Sequence, residues 1–554
     1  MGEFIRTPTN TSHLLYMNVA PSAHERCIIA DLLEKKVQHL RNIEDMARTL
    51  NHELIQARTD LAEHKALLSG VRRLPVEIMS EIFLQCLPEV DTSSVIWSPE
   101  PSPDQAPLLL TQVCRNWRSI AIGIPRLWST LSINASNGSP SHAEISKLWL
   151  DRSKKVPLTL SLLVRSTDRF YGGRRAKSYE EFVPLAATKV LTMFVSHLWR
   201  VRALALLFAL PVIRAVPELR SVRDNVCVQL ERLHLVTSFE NTAREISWTR
   251  SLVHSAPNLR HLYFDSSMVP LPIVRGQEWF LRLRTINLDA AYGIPPQDFF
   301  LLLRNSPELV RCVIVMNLDE SLNHATHWDE MPKVMHSALQ ELSLSSEDIF
   351  LGNVLDLLTL PALVSLKLST VGDEAWPHQQ LIGFMSRSLC ILKELKLDSE
   401  RMTDDQLLIY LGLVNKGLRA LYLPTWKSAS EKVMRFITPV KMKTPRGTLL
   451  NSPGIPPFPL DNLPYLETLT FGIAPHQHIE SLRDFVKDRC LVEQGKKPRL
   501  RSVHIHLLLP IIAGLATDLD LSLKGLLDQV RFDGENMTLK ITSSHLQFSS
   551  FVSA

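Results

Sequence analysis

The cysteines of this chain form no pattern. Cys27, Cys86, Cys114, Cys227, Cys312, Cys390 and Cys490 are scattered, odd in number and never spaced as Cys-x-x-Cys. That argues against a disulfide framework and for reduced thiols in an intracellular protein, in cytoplasm or nucleus. Long apolar runs are missing too. The two most apolar stretches, 203–213 and 507–516, are too short to cross a bilayer and are interrupted by Pro211 and Pro510, so no membrane partner is expected. The opening MGEFIRTPTN lacks the apolar core of a signal peptide. Charge of one sign is scarce. A net +4 over 554 residues does not supply the concentrated basic face of a nucleic-acid binder. Catalytic signatures are also absent: no Gly-x-Ser-x-Gly elbow, no phosphate-binding loop ending Gly-Lys-Ser/Thr, no His-Glu-x-x-His, no Gly-x-Gly-x-x-Gly after a strand. Asp518 and Asp520 lie in an alternating apolar pattern without a partner set, and His476/His478 and His504/His506 each offer two imidazoles with no third ligand nearby. Neither a cofactor, a metal nor a catalytic residue is expected.

With 45 % apolar and 21 % charged residues the composition is globular, and the length calls for two or three units. The most informative stretch runs from Leu74 to Trp128. Pro75 suits the first position of a helix, where its missing N–H costs nothing, and Glu77 favours the positive helix start. Met79, Ile82, Phe83 and Cys86 then recur at three- and four-residue steps, the mark of one apolar helix face. A second helix is expected from about Leu108, with Leu110, Val113, Cys114, Trp117, Ile120 and Ala121 on its buried side, ended by Gly123 and Pro125. Between the two helices lies the insert 88–107, of which 91–106 is rich in Ser, Pro and acid and reads as an exposed loop. Helices this short cannot close a core alone. Leu84, Leu87, Leu108 and Leu109 lie off the two faces and are left as a docking surface.

At these residues the sequence resembles the F-box. The resemblance is carried by Leu74, Pro75, Ile78, Ile82, Phe83, Leu87, Val113, Cys114, Trp117, Ile120, Pro125, Leu127 and Trp128, with Arg115, Arg118 and Ala121 in the same order; the long insert departs from the pattern. The resemblance implies that these residues dock onto a Skp-type adaptor and, through it, a cullin. The chain would then be the non-catalytic substrate-recognition subunit of a cullin-based ubiquitin ligase, binding a protein target the sequence does not name.

Ahead of this stretch, residues 1–24 are polar and patternless. From Ala23 to Ser69 there is no proline or glycine, and Leu33, Leu40, Ala47, Leu54, Leu61 and Leu68 recur every seven residues. Lys36, Ile43, Leu50, Ala57 and His64 fill the interleaved positions, and all but Lys36 and His64 are apolar. Two readings fit: self-association of residues 25–70 as a coiled coil, or a single amphipathic helix lying on its own chain.

After Trp128 a second pattern takes over, apolar-x-x-apolar-x-apolar. It appears at Leu230/Leu233/Leu235, Leu259/Leu262/Phe264, Leu283/Ile286/Leu288, Leu309/Cys312/Ile314, Leu339/Leu342/Leu344, Leu363/Leu366/Leu368, Leu392/Leu395/Leu397 and Leu418/Leu421/Leu423. An earlier copy is Val201/Leu204/Leu206, and later ones are Leu466/Leu469/Phe471 and Leu500/Val503/Ile505. A strand and a helix of this length cannot bury their apolar faces alone, so neighbours stack. The pattern resembles divergent leucine-rich repeats, with the asparagine of the standard motif mostly missing. Residues between the core positions point to the other face of the strands. They give a candidate target-binding row: Arg232, His234, His261, Tyr263, Asn287, Glu341, Lys367, Glu394, Lys396, Tyr422 and His504. The repeat breaks at 427–459, a basic, proline-rich stretch that reads as a target-contact loop or an insertion. The expected chain is thus α/β: a tail (1–24), a long helix (25–70), an F-box (71–131), and a leucine-rich-repeat-like solenoid with a C-terminal cap (132–554). A leucine-rich scaffold protein with no part in ubiquitin transfer is the other reading the residues leave open.

Overall fold

The computed structural model describes residues 20–89, 99–137, 139–164, 185–209, 216, 226–238, 251–266, 278–288, 294–316, 328, 331–346, 349–370, 376–399, 401–424, 431–437, 463–473, 502–507 and 538–543. The start of the expected tail, most of the 427–459 stretch and His476/His478 lie outside them. The chain forms two compact units, Met1–Ile82 and Phe83–Ala554.

In the first unit a helix runs from Ala23 to Leu67. Ser22 starts it with a capping box: its Oγ accepts from the Glu25 N–H at 3.3 Å, and its own N–H donates to Glu25 Oε2 at 2.8 Å. Nothing in the next 45 residues breaks the turn, and Gly70 opens a short 3₁₀ turn, Gly70–Arg73. Helix Val76–Gln85 follows; the Met79 N–H returns to the Pro75 carbonyl at 3.0 Å.

The second unit is built on a sheet of 14 strands arranged in chain order and paired in parallel throughout. It opens with β1 (Thr130–Asn134), β2 (Leu158–Val164), β3 (Val201–Ala209), β4 (Arg232–Ser238), β5 (His261–Ser266), β6 (Thr285–Leu288) and β7 (Arg311–Met316). β8 (Val334–Met335) leaves the sheet and pairs with β10 (Leu358–Thr359). The main sheet continues through β9 (Glu341–Ser346), β11 (Ser365–Thr370), β12 (Glu394–Asp398), β13 (Ala420–Leu423), β14 (Thr468–Ile473), β15 (Ser502–Leu507) and β16 (Thr538–Ser543). Parallel neighbours need a crossover, and helices supply several: Ser141–Arg152, Leu185–Ser196, Pro296–Asn305, Ile349–Leu357, His378–Ser388 and Asp404–Val414.

Register makes the core. Leu131, Leu160, Leu204, Leu233, Leu262, Ile286, Cys312, Leu342, Leu366, Leu395, Leu421 and Leu469 stand side by side along the sheet, and each is buried. Two strands lie ahead of the first repeat read from the sequence. β1 obeys the same spacing, with Trp128, Leu131 and Ile133 at the three apolar positions. At the other end, β16 extends the sheet in parallel beside β15. The 427–459 stretch contains a helix, Glu431–Ile437, whose Val433 and Ile437 are buried.

Between successive strands, buried polar groups tie one turn to the next. The His336 ring takes the Leu339 N–H on Nδ1 at 3.1 Å, which leaves Nε2–H to donate to the Ser306 carbonyl at 2.9 Å. The Leu360 N–H donates to Ser388 Oγ at 3.1 Å, so buried backbone groups that no strand partners are still satisfied. Near the start of the sheet, ahead of β3, Arg200, 1 % exposed, does the same work, reaching Ser153 Oγ, the Val156 carbonyl and the Leu150 carbonyl, each at 3.1 Å.

Candidate functional site

Two groups of residues were singled out by sequence, and the structure treats them differently. In the first unit, Leu74, Pro75, Val76, Ile78 and Ile82 are exposed, Ile78 by 50 % and Ile82 by 41 %, while Met79 is buried. In the same helix Phe83, which belongs to the second unit, is 0 % exposed, and Cys86 is exposed. The expected inward face is therefore corrected: Met79 and Phe83, four apart, turn in, whereas Ile82 and Cys86 turn out. A helical step of four keeps one line. Ile78 and Ile82, also four apart, form an apolar line of their own that faces water.

In the second unit the expected helix from Leu108 is shorter. Leu109–Thr111 is a 3₁₀ turn, and the helix proper is Arg115–Gly123. Cys114 caps it, its sulfur accepting the Trp117 N–H at 3.4 Å. Val113 precedes the cap and Cys114 is the cap itself, so both lie ahead of the helix proper, and they are exposed rather than buried as expected. Trp117 is half-buried, its ring 4.9 Å from that of Phe83. Ile120, Leu127 and Trp128 are interior, and Leu87 and Pro125 are half-buried. The unpaired surface expected at Leu84, Leu87 and Leu108 is half-buried; of that set only Leu109 is exposed. The described part of the expected loop, 99–106, is exposed at Pro99, Glu100, Pro103, Asp104 and Gln105 and half-buried at the rest, as a loop should be. Just beyond it Pro107 is buried, and Pro99, Pro101 and Ala106 line a small cavity with Leu127, Ser132 and Trp149.

Trp128 is the best-held side chain of the stretch. Its Nε1–H donates to the Ala121 carbonyl at 2.9 Å. Trp149 meets it edge-on, 4.8 Å between centroids, and the Arg152 guanidinium lies 4.3 Å over its ring.

The second group lines up as expected on one face of the sheet. Strand pairing places Arg232, His261, Thr285, Arg311, Glu341, Ser365 and Glu394 in one row, and His234, Tyr263, Asn287, Val313, Ser343, Lys367, Lys396 and Tyr422 in the next. His504 continues the second row beside Thr470 by backbone pairing; its side chain is outside the described residues. Most of these side chains are half-buried. Arg311 is exposed, and Ser365 and His234 are buried; the His234 ring is tilted on that of Tyr263 at 5.3 Å and its Nδ1 has no hydrogen-bond partner among the described residues.

The rows are not electrically uniform. In β7–β12 opposite charges pair within the face, Lys367 with Glu394 at 2.9 Å and Arg311 with Glu341 at 3.4 Å. Around β4–β6 arginines gather, with Arg202 on Glu231 at 3.0 Å and Arg284 on Glu308 at 3.6 Å. Burial first, then the charges of Arg232, Arg260 and Arg284, hold the His261 imidazole below its usual range, opposed by Glu231. Arg260 and Arg284 were missed by the sequence reading. They sit directly after the first leucine of their repeats, as do Lys393 and Arg419, and that position was the available signal.

Burial alone pushes the His234 pKa down to about 4 from 6.5. The folded chain thus keeps His234 neutral where the unfolded chain protonates it. Stability is complete above pH 6.5 and falls as pH drops toward 4, by about 3 kcal/mol at 1.36 kcal/mol per pKa unit. Urea unfolding of wild type and His234→Gln between pH 7.5 and 4.5 checks this: the wild-type midpoint is expected to fall more steeply. Parallel pH slopes would refute it.

Among the described residues no group of three His, Cys, Asp or Glu side chains could hold a metal ion, and no helix is long and apolar enough to cross a membrane. No family model matches the chain, and no curated protein matches it in sequence.

Proposed function

We propose that this chain is the substrate-recognition subunit of a cullin-based ubiquitin ligase. In this reading residues 71–131 form an F-box that docks on a Skp-type adaptor, and residues 132–554 form a leucine-rich-repeat solenoid whose strand face holds a target protein. One observation carries the docking half. Leu74, Val76, Ile78 and Ile82 leave an apolar stripe in water on a helix that also buries Met79 and Phe83. A stripe of that kind on a short helix is what a partner covers. The adaptor contacts are Leu74, Pro75, Ile78 and Ile82; Phe83, Ile120, Leu127 and Trp128, being interior, hold the motif together from within. The target half is supported by two rows of half-buried aromatic, charged and amide side chains, a composition suited to protein recognition. The chain supplies no chemistry of its own in this role; it raises the local concentration of the target at a transferring subunit.

The test is recovery of a Skp-type adaptor by the full-length chain and by Ile78→Asp/Ile82→Asp. Both side chains face water, so the variant keeps its fold, and a carboxylate in an apolar interface is expected to cut recovery at least ~30-fold, the weight of a buried interface anchor. Equal recovery from both would remove the docking half of the proposal.

A further inference from the structure

Along its 45 residues the Ala23–Leu67 helix buries no side chain. Every residue from Leu33 to Leu68 is exposed, including Leu33, Leu40, Leu50, Leu54 and Leu61. A helix of this length spans roughly 67 Å at 1.5 Å per residue. Helices in water owe most of their stability to packing of an apolar face, and here that face is complete but covered by nothing in its own chain among the described residues.

The charges say what covers it. With Leu33, Leu40, Leu54 and Leu61 at the first seam position of each heptad and Ile43 and Leu50 at the second, Glu53 and Asp60 fall on one flank of the seam, Arg58 and Lys65 on the other. In a parallel, in-register pair each flank residue faces the opposite flank of the partner five residues on. Glu53 then meets Arg58 of the other copy, and Asp60 meets its Lys65. An antiparallel pair sets like flanks against each other, acid on acid and base on base. The ion pairs made within the helix, Asp31 with Lys35 at 2.6 Å and Asp45 with Arg48 at 3.3 Å, all lie on its outer side. Glu53, Arg58, Asp60 and Lys65 make no ion pair among the described residues, so the flanking charges are available to a second helix.

We propose that residues 25–68 pair with the same residues of a second copy of this chain as a parallel two-stranded coiled coil. Lys36 and His64, the polar seam residues, set the number of strands: in a dimer two ammonium groups can lean out to water on their stems, and a four-stranded bundle would enclose four. The proposal does not rest on the docking reading. It gives whatever the second unit binds two copies in one assembly.

Sedimentation equilibrium of the full-length chain at micromolar concentration is expected to give twice the 62.8 kDa chain mass. Leu40→Asp/Leu54→Asp is expected to give the single mass with an unchanged near-ultraviolet circular dichroism spectrum, because neither leucine packs in its own chain. Orientation is read from two charge-reversed chains, Glu53→Lys/Asp60→Lys and Arg58→Glu/Lys65→Glu. Each alone is expected to be weakened as a dimer, and the 1:1 mixture is expected to recover the dimer mass. A monomeric wild type, or a seam variant that stays dimeric, overturns the pairing. A mixture that dimerises no better than either chain alone overturns the parallel register.

Discussion

Replacing Trp128 with alanine is expected to cost about 3–5 kcal/mol of unfolding free energy, the range for deleting a fully buried large aromatic. The side chain is 0 % exposed and does three separate things. It satisfies the Ala121 carbonyl near the end of helix Arg115–Gly123, where backbone acceptors run out of intrahelical donors. It stacks edge-on against Trp149 of helix Ser141–Arg152, which in turn donates to the Thr130 carbonyl at 3.1 Å. It also fills the first apolar position of the β1 unit, at the edge of the sheet, where the β2 unit carries Pro157, the β3 unit Val201 and the later units a leucine. One deletion therefore opens a cavity at the junction of the helical stretch with the sheet and leaves the Ala121 carbonyl only the longer bond from the Ile124 N–H, at 3.4 Å. Trp117→Ala is the internal comparison. Its ring also touches an aromatic, Phe83, but it is half-buried, so its loss is expected to be clearly smaller. Guanidinium unfolding of the two variants decides the matter, and equal losses would show that burial is not what sets the cost.

Trp128 also shows where the sequence was legible and where it was not. The spacing Leu-x-x-Leu-x-Leu made the strands readable because each core residue must stand beside its counterpart in the next unit. From Leu233 to Leu469 the register agrees with that reading. β1 escaped it, and β2, although 157–164 reads as an apolar strand, did not register as a repeat. Trp128 occupies a leucine's place in β1, Pro157 occupies one in β2, and neither matches a leucine pattern. The helix phase at Met79–Cys86 could not be read either, since five of its eight residues are apolar or cysteine and two faces compete. Cys114 was read as core because cysteine is commonly buried, but an extended residue with a polarisable acceptor can cap a helix instead. On the sheet face, the sequence identified which residues share the outward row. It did not reveal which charges pair along the face, Lys367 with Glu394 and Arg311 with Glu341, because that depends on neighbours about 30 residues apart in the chain.

Arg200→Met is expected to lose about 3 kcal/mol, the cost of leaving buried acceptors unmade rather than of losing a charge pair. Among the described residues this guanidinium hydrogen-bonds to no acidic side chain; it donates to the Ser153 hydroxyl and to the carbonyls of Val156 and Leu150. Two effects oppose each other. Burial disfavours the charged form and lowers its pKa, so an apolar replacement relieves a desolvation cost. Against that, Leu150 lies in the last turn of helix Ser141–Arg152, whose carbonyl end favours a cation, and Val156 sits in the turn that feeds β2. The planar fork reaches both carbonyls and the hydroxyl at once, which neither a thioether nor a single ammonium can do. Leu150 keeps the Ser153 hydroxyl as a donor at 2.9 Å, so it is the Val156 carbonyl that is left bare, and the turn before β2 loses its tie to the turn before β3. Arg200→Lys retains the charge and is expected to recover less than half of the loss; full recovery by lysine would mean that charge, not the fork, holds these two turns together. Methionine as stable as wild type would mean that relief of the buried charge outweighs the three lost hydrogen bonds.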